Sequence, residues 1–316
     1  MNLQQLEYIL AVDHYRHFAK AAEKSFVTQP TLSMMIRKLE DELGIKIFDR
    51  SRQPVTPTKE GEEILQRARL ILAEAGRLKT YASGLQGEIS GELRLAIIPT
   101  LAPYLLPLFL KAFSEKHPAL KVYLKEMRTD EIINALKDNL FDIGILATPL
   151  HEQNLKEVHL FDEEFFAYAT QSERLPRKKY LLPTEINPNH LWLLEEGHCL
   201  RNQVYNLCEL KKQDTGTGSL HYEAGSIETL VNLVDKHHGI TIIPQLATFH
   251  LKPNQRKNVR EFAKPKPVRQ ISLVVAKNFP RTKLLESLRD EIVNSLPFKV
   301  DAKKKEHTTM DPLSKN

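Results

Sequence analysis

Two cysteines are the residues of this 316-residue chain best suited to covalent chemistry. Cys199 and Cys208 are its only thiols, and they lie close together in the segment 197–208. A helix would hold their Cα atoms about 13 Å apart, whereas a disulfide requires about 4.4–6.8 Å. Bridging them would therefore demand a local refolding, and a bond that one backbone arrangement permits and another forbids suits a redox switch.

The residues next to Cys199 and Cys208 indicate different roles for the two thiols. His198 precedes Cys199 and Arg201 follows it, and positive neighbours lower the pKa of a thiol, so we expect Cys199 to be the reactive thiolate. Attack on a peroxide yields a sulfenic acid that condenses with a second thiol. Cys208, which precedes the acidic Glu209, is therefore expected to resolve that intermediate.

Two other interpretations of the cysteines remain open at this point. Buried intracellular cysteines commonly act as small hydrophobic residues. A zinc site could combine His198, Cys199 and Cys208 with a distant histidine such as His221, but this spacing matches no compact zinc motif. We therefore predict no metal and no cofactor.

The length of the chain predicts two or three domains, and its 41% of hydrophobic residues are enough for ordinary buried cores, so we expect a globular protein. Its net charge of +5 permits a polyanionic partner. The segment Met1–Glu7 lacks the features of a signal peptide, and no apolar run approaches a membrane span. We expect a cytoplasmic protein without a membrane partner, whose thiols are reduced at rest.

A helix-turn-helix is predicted near the amino terminus. An Ala-rich helix over 18–25 and a turn at 26–27 precede a third helix, for which Thr28 can be the N-cap and Pro30 lies in the first turn. An outer helix face suited to the major groove is formed by Gln29, Thr31, Ser33 and Arg37. Segment 45–58 alternates like a hairpin, and its Arg50 could reach phosphates as a wing. An ordinary solvated helix face is the alternative.

A long helix is predicted from Thr58 to about Gln86, because apolar residues recur there at helical spacing. Its apolar stripe must be buried, and the simplest partner is a copy of the same helix, which predicts a dimer. Packing on its own domain is the alternative.

Short apolar strands alternate with helices beyond residue 88, which is typical of parallel α/β structure. The predicted strands are 91–98, 121–126, 143–147, 165–169, 191–194, 220–222, 240–244 and 271–275. Thr100 and Thr129 follow strand ends, where helix N-termini offer N–H donors to a ligand.

The amino-terminal segment resembles the winged helix of LysR-type transcriptional regulators. The resemblance is carried by Gln29-Pro30-Thr31-Leu32-Ser33, Ile36-Arg37-Lys38-Leu39-Glu40, Leu43-Gly44, Phe48 and Arg50. It implies DNA contacts for Thr28, Gln29, Pro30, Thr31, Ser33, Arg37 and Arg50, with the third helix in the major groove. The family also implies RNA polymerase as a possible partner.

The resemblance extends to the domain layout. It implies a winged helix-turn-helix (1–58), a linker helix that dimerises (59–87) and a two-lobed α/β regulatory domain of periplasmic-binding-protein type (88–300). The first lobe would comprise 88–161 and 268–300, and the second 162–267. The lysine-rich tail 301–316 is expected to be a disordered basic segment.

The segment Glu196-Gly197-His198-Cys199-Leu200-Arg201, together with Cys208, resembles the peroxide-sensing branch of this family, the OxyR regulators. That resemblance implies a peroxidatic Cys199, a resolving Cys208 and a reversible disulfide between them. It places Thr100, Thr129 and His198 near the bound peroxide, and Arg201 can stabilise the thiolate. By the same analogy Asp142 contacts the cysteine segment, and His221 and Tyr222 occupy aligned positions.

The function implied is an activator of oxidative-stress genes that answers hydrogen peroxide, binds double-stranded DNA as a dimer of dimers and is reset by cytosolic glutaredoxin or thioredoxin. A LysR-type regulator that answers a metabolite is the main alternative. A thiol peroxidase or disulfide reductase is disfavoured, because the chain has no Cys-x-x-Cys motif and such an enzyme has no use for residues 1–60. We therefore do not expect an enzyme.

Overall fold

A computed structural model describes residues 1–51, 53–84, 89–170, 180–208, 223–299 and 307–312. Contacts between Cα atoms divide the chain into two compact units. The first comprises Met1–Glu88 with Asp138–Leu140, and the second comprises Ile89–Lys137 with Phe141–Asn316. None of the described helices is both long and apolar enough to cross a bilayer.

The first unit begins with three helices, α1 (Leu3–Tyr15), α2 (Phe18–Lys24) and α3 (Gln29–Leu43). The hydroxyl of Thr28 accepts the backbone N–H of Thr31, which confirms Thr28 as the N-cap of α3. The helix ends at Gly44, whose φ of 67° is the left-handed conformation that glycine adopts without strain. The helix-turn-helix prediction is therefore confirmed.

A small wing follows α3. Strands β1 (Phe48–Asp49) and β2 (Thr56–Pro57) pair antiparallel. The buried Glu40 of α3 fixes the wing, since its carboxylate accepts the backbone N–H of Ile47 at 2.8 Å and binds Arg50 Nη2 at 2.8 Å. The hairpin predicted after residue 44 is thus present and tied to the recognition helix.

Helix α4 (Lys59–Gly84) is the predicted long helix, and residues 85–88 lie outside the described ranges. Its first half is buried at Leu65 and Ala68 in the core of the first unit, whereas Ile71 and Leu78 are exposed. Glycine is required at position 61, because a Cβ there would lie 2.1 Å from the carbonyl oxygen of Ile47.

The second unit is built on a curled mixed sheet. Its strands are β3 (Gly91–Ile97), β4 (Leu120–Glu126), β5 (Ile143–Thr148), β6 (Leu155–Ala169), β7 (Tyr180–Leu181), β8 (Ile240–Pro244), β9 (Val259–Phe262), β10 (Lys266–Ala276) and β11 (His307–Thr309). Its helices are α5 (Ala102–Lys116), α6 (Thr129–Lys137), α7 (Cys199–Leu207), α8 (Ile227–His237), α9 (Gln245–Phe249), α10 (Pro253–Arg256) and α11 (Thr282–Asn294). Two short 3-10 turns, Pro183–Glu185 and Pro188–His190, follow β7.

Two groups of strands share the long strand β6. The described strands run in the order β4-β3-β5-β10-β6-β9-β7, with β8 on β6 and β11 on β10. Strands β3, β4 and β5 are mutually parallel, and β10 runs antiparallel to β5. The second half of β6 pairs with β8 and β9 instead. This is the two-lobed α/β architecture that the sequence predicted.

Several predicted strands differ in extent. Segment 191–194 forms only isolated bridges, Leu191 to Ile240 and Leu194 to Ala224, because its polypeptide turns toward α7. Strand β6 begins at Leu155, before the predicted start at 165, since polar residues interrupt the first half of the apolar pattern. The strand predicted at 220–222 lies outside the described residues.

The carboxyl-terminal tail corrects a prediction. Residues 307–309 of the segment expected to be disordered form β11, which pairs parallel with Lys266–Val268 of β10. Backbone pairing with an open strand edge satisfies N–H and C=O groups whatever the side-chain composition, so the polar composition of the tail did not reveal it. The other described residues of the tail, Met310, Asp311 and Pro312, continue from this strand.

Candidate functional site

Both cysteines belong to a single helix. Cys199 is the first residue of α7, and Cys208 is its C-cap. Nine helical steps separate their Cα atoms by about 13 Å, as the sequence predicted for a helical segment. Both thiols are free and buried, so this is the reduced arrangement, and a disulfide would require α7 to unwind.

Cys199 and the two candidate threonines all lie at or near helix starts. Thr100 lies just before α5, Thr129 is the first residue of α6, and Cys199 is the first residue of α7. All three side chains are buried, with exposures of 4%, 5% and 4%. Helix N-termini carry partial positive charge and unsatisfied N–H donors, so this arrangement favours negative charge on sulfur or oxygen.

A buried arginine connects these elements, and it was not predicted from the sequence. Arg269 of β10 donates from Nη1 to Thr100 Oγ1 at 3.1 Å and from Nε to Glu163 Oε2 at 2.8 Å. Arg269 and Glu163 are both fully buried, and they face each other across β10 and β6. The charge of Arg269 lowers the pKa of the Cys199 thiol, so a residue on a strand distant in sequence influences the cysteine.

The sequence could have indicated the role of Arg269, because it places a charged residue inside a largely apolar strand. The run Val268-Arg269-Gln270-Ile271 places an arginine where the two-residue alternation expects a buried side chain. A buried arginine requires a paired carboxylate, and Glu163 of β6 supplies it. Neither residue reveals the pairing without the strand register.

Thr129 carries a buried hydroxyl with no ordinary hydrogen bond to any residue that the structure describes. The hydroxyl is nevertheless close enough to Cys199 to act on its thiol, whose pKa it lowers. A buried hydroxyl without a regular partner costs free energy of folding. Such a hydroxyl can still donate a hydrogen bond to a small ligand.

The thiols are less acidic than the sequence indicated. Burial raises the pKa of Cys199, and the charge of Arg269, the Thr129 hydroxyl and the N–H groups at the start of α7 act in the opposite direction. Burial alone raises the pKa of Cys208 to about 12. The expected reactive thiolate is therefore a thiol in this conformation, because removal from water outweighs its polar neighbours.

His198 is the residue before α7, and its side chain is buried. Burial lowers the pKa of His198, with a further reduction from Arg128 and an opposing contribution from Glu195. The imidazole is therefore neutral near pH 7 and can accept a proton. Its Nε2 lies 3.6 Å from Glu195 Oε1.

Arg128 holds the loop before Cys199. Its Nη2 donates to Glu195 Oε1 at 2.6 Å, and its side chain lies against Gly197. A Cβ at Gly197 would meet Arg128 Cδ at 2.9 Å, and the φ of 94° at Gly197 favours glycine in any case. This ion pair connects the start of α6 to the cysteine loop.

Arg201 occupies a different place from the one expected of a thiolate partner. Its Nη1 donates to the carbonyl of Leu194 at 2.6 Å and to Glu223 Oε1 at 2.8 Å, and its guanidinium lies over the Tyr205 ring. These contacts anchor α7 to the bridge at Leu194. In this conformation the cation that influences Cys199 is Arg269, whereas Arg201 acts on the helix.

Of the three other predicted positions, the structure describes only Asp142. Asp142 accepts the backbone N–H of Arg94 at 2.8 Å just before β5 begins, at the edge opposite to the strand ends that Thr100 and Thr129 follow. His221 and Tyr222 lie outside the described residues. Within the described ranges, no three His, Cys, Asp or Glu side chains converge as metal ligands.

The predicted DNA-contacting residues lie at the surface of the first unit. All are exposed except the half-buried Ser33: Thr28, Gln29, Pro30, Thr31, Ser33, Arg37 and Arg50. Arg50 also has a structural role, since its guanidinium contacts Glu40, Ser33 and the Phe18 ring.

A groove beside these residues adds cations that the sequence pattern did not single out. Lys20 and Lys24 of α2 line it together with Gln29, Ser33 and Arg50. Closely spaced cations beside a polar helix face are suited to the phosphates that flank a DNA groove. Both lysines come to lie beside residues of α3 only because α2 packs against α3, which no local sequence pattern shows.

Comparison with known families matches both units. Residues 3–62 match the family described as bacterial regulatory helix-turn-helix protein, lysR family, and residues 86–297 match the LysR substrate binding domain. The hydrogen peroxide-inducible genes activator of Haemophilus influenzae is 34% identical over 306 residues, which cover 96% of this chain and all of that protein.

Solved structures show the same fold. A full-length OxyR C199D structure from Pseudomonas aeruginosa has a TM-score of 0.72 and 31% identity, and the match covers 93% of this chain and 98% of that one. A hydrogen peroxide-bound OxyR mutant from Corynebacterium glutamicum has a TM-score of 0.61 and 28% identity, with coverage of 93% and 92%. The similarity therefore spans both units.

Proposed function

This chain belongs to the LysR family of transcriptional regulators, and from that premise we propose that it is a DNA-binding activator that senses hydrogen peroxide through Cys199. Two relatives that match over nearly their whole length carry names that refer to hydrogen peroxide. The observation that carries the proposal is the position of Cys199, which is buried at a helix start where the charge of Arg269 and the hydroxyl of Thr129 act on its thiol.

Peroxide chemistry fits these groups. Thr100 Oγ1 accepts a hydrogen bond from Arg269, so its own O–H can be directed to a peroxide oxygen. Neutral His198 can take the thiol proton as the thiolate forms. The Cys199 thiolate attacks one peroxide oxygen, the O–O bond breaks, and hydroxide leaves and is protonated to water, with Cys199 oxidised to a sulfenic acid.

The second step requires a change in α7. Burial holds the Cys208 thiol at a pKa of about 12, so it is unreactive while α7 is intact. Unwinding of α7 exposes Cys208, whose thiolate then attacks the sulfenic sulfur. The S–O bond breaks, the Cys199–Cys208 bond forms, and a second water leaves, so one peroxide oxidises two thiols.

The disulfide is the state that we propose to activate transcription. A bridge requires the two Cα atoms to approach to about 4.4–6.8 Å, and this displaces α7 and its anchors Arg201 and Gln203. Because helix packing is bistable, that displacement can alter the contacts between copies of the chain in a dimer of dimers. A dithiol reductant such as glutaredoxin or thioredoxin would return both cysteines to thiols.

DNA recognition follows from the first unit. Helix α3 presents Gln29, Thr31 and Arg37 on an exposed face, and the wing carries Arg50. We propose that α3 enters the major groove of double-stranded DNA, while the wing and α2 contact phosphates. In activation, RNA polymerase is the further partner of the DNA-bound protein.

A binding-site selection from random DNA duplexes tests this function with the full chain. Operators selected with reduced protein are footprinted before and after one equivalent of hydrogen peroxide, with Cys199→Ser as the matched variant. We expect the footprint of the wild type alone to change. A footprint that ignores peroxide but changes with small organic acids, equally in both proteins, would replace this function with metabolite sensing.

A further inference from the structure

The carboxyl-terminal segment contacts the helix that carries both cysteines. Gln203, near the middle of α7, donates from Nε2 to the carbonyl oxygen of Met310 at 2.9 Å. Gln203 is fully buried, and its Oε1 has no hydrogen-bond partner among the described residues. Met310 is thus the described hydrogen-bond partner of this side chain.

Met310 is itself held by the sheet. Its backbone N–H donates to the carbonyl of Val268 at 2.8 Å, directly after the parallel pairing of β11 with β10. Asp311 Oδ2 lies 3.1 Å from His151 Nε2, and Pro312 is buried. We define residues 307–312 as the terminal segment, which joins β10 on one side to α7 on the other.

The geometry points to the terminal segment as a redox-coupled latch, which holds the cysteine helix in its reduced form and is released when the disulfide forms. This inference rests on the proposed function, since it requires the bond between Cys199 and Cys208. Gln203 is then a positioning residue for that reaction, because it acts through the position of α7.

The physical argument is one of linkage. Drawing the two ends of α7 from about 13 Å to less than about 7 Å breaks its helical hydrogen bonds and removes Gln203 from its buried place beside Met310. Whatever docks only onto the helical form stabilises that form, and the effect is reciprocal. A docked segment therefore slows bridging, and bridging frees the segment.

The reaction balances as in the proposed function. Hydrogen peroxide supplies the oxidant, two thiols become one disulfide, and two waters leave. The latch takes no part in these bonds. It changes only how readily α7 opens after Cys199 has become a sulfenic acid, and so affects the second step more than the first.

Truncation separates the latch from the rest of the tail. One variant ends after Lys299 and lacks the terminal segment, and a matched control ends after Pro312 and retains it. Reduced proteins receive one equivalent of hydrogen peroxide, and disulfide formation is followed by thiol trapping and mass spectrometry. We expect bridging to be about three- to tenfold faster without the segment, the effect of losing a buried hydrogen bond, and unchanged in the control.

A double-mutant cycle locates the contact. Gln203→Met keeps the side-chain length and removes the hydrogen bond to Met310. We expect it to accelerate bridging in the full chain and to add nothing in the variant that ends after Lys299. Additive effects of the two changes would overturn the latch.

Hydrogen exchange tests the release in the intact chain, even if a truncation fails to fold. We expect peptides that contain residues 307–312 to exchange slowly in the reduced protein and rapidly after oxidation. Equal exchange in both states, or equal bridging rates in both truncations, would overturn the latch and leave peroxide sensing intact. Failure of every variant to form the disulfide would overturn both.

Discussion

At the scale of single residues, the Thr129 and Thr100 hydroxyls differ in how they contribute to the stability of the second unit. The Thr129 hydroxyl is buried without a regular hydrogen bond to the described residues, yet it lowers the pKa of the Cys199 thiol. Thr100 differs, because its hydroxyl oxygen is a partner of the buried Arg269. The two threonines should therefore respond differently when their hydroxyl groups are removed.

Thr129→Val is expected to slow sulfenic acid formation at Cys199 about tenfold or more, because a hydrogen-bond donor to the peroxide is lost. The free energy of unfolding should be unchanged or raised by up to about 1 kcal/mol, since an unsatisfied buried hydroxyl disappears. Peroxide consumption in the Cys208→Ser background gives the rate, and the fluorescence of Trp192, the single tryptophan, gives the stability of the second unit.

Thr100→Val is the matched comparison. It should slow the same reaction and also destabilise the second unit, because Arg269 loses an acceptor in a fully buried site. Equal rates in wild type and both valine variants would remove the threonines from the reaction.

The pH dependence of stability follows from His198. Burial lowers the pKa of His198 below its ordinary value of 6.5, so the unfolded chain takes up this proton at a higher pH than the folded chain. Stability should therefore fall as the pH drops below about 6.5. In thermal unfolding measurements, His198→Gln should lose less stability over that window than wild type, and equal losses in the two proteins would contradict this account.

At the scale of elements, the arginines of α3 and of the wing differ in their contacts within the first unit. Arg37 is exposed on α3, whereas Arg50 binds the buried Glu40 and lies over Phe18. A phosphate contact contributes about one unit to the dependence of log affinity on log salt concentration. Removing each arginine should therefore change the affinity for DNA and the stability of the first unit in a different combination.

Arg37→Ala should weaken operator binding and leave the unfolding of the first unit unchanged, with a reduced salt slope if Arg37 contacts phosphate. Arg50→Ala should weaken binding and also destabilise the first unit, because Glu40 loses its cation. Fluorescence anisotropy at several salt concentrations measures the affinity, with the exposed Arg67→Ala of α4 as a charge-matched control. An unchanged affinity in Arg37→Ala would remove this face from the DNA interface.

Elements were more predictable from the sequence than the contacts between them. Helical spacing and capping identified α3 and α4, and short apolar runs identified β3, β5 and β8. The pair Arg269 and Glu163 required the register of β10 on β6, which no local pattern contains. Backbone pairing of the tail was likewise invisible, because β11 needs an open strand edge and not an apolar sequence.

At the scale of the whole molecule, α4 offers an apolar surface for a second copy. Ile71 and Leu78 are seven residues apart on this helix, which is coiled-coil spacing, and Leu78 is 70% exposed. The double variant Ile71→Glu/Leu78→Glu should shift sedimentation to a smaller species and weaken binding to paired half-sites. The control Gln66→Glu adds a charge to an exposed position of the same helix and should sediment as the wild type does. Equal masses in the wild type, the double variant and the control would place the dimer contact elsewhere.

The whole molecule is a switch only if peroxide couples the two thiols of α7. The most direct measurement treats the reduced full-length protein with one equivalent of hydrogen peroxide, traps the thiols and maps the products by mass spectrometry, with Cys199→Ser and Cys208→Ser alongside. We expect a rapid intramolecular Cys199–Cys208 bond in wild type, a sulfenic acid at Cys199 in Cys208→Ser and no reaction in Cys199→Ser. Free thiols at both positions of the wild type after minutes of exposure would contradict peroxide sensing by this chain.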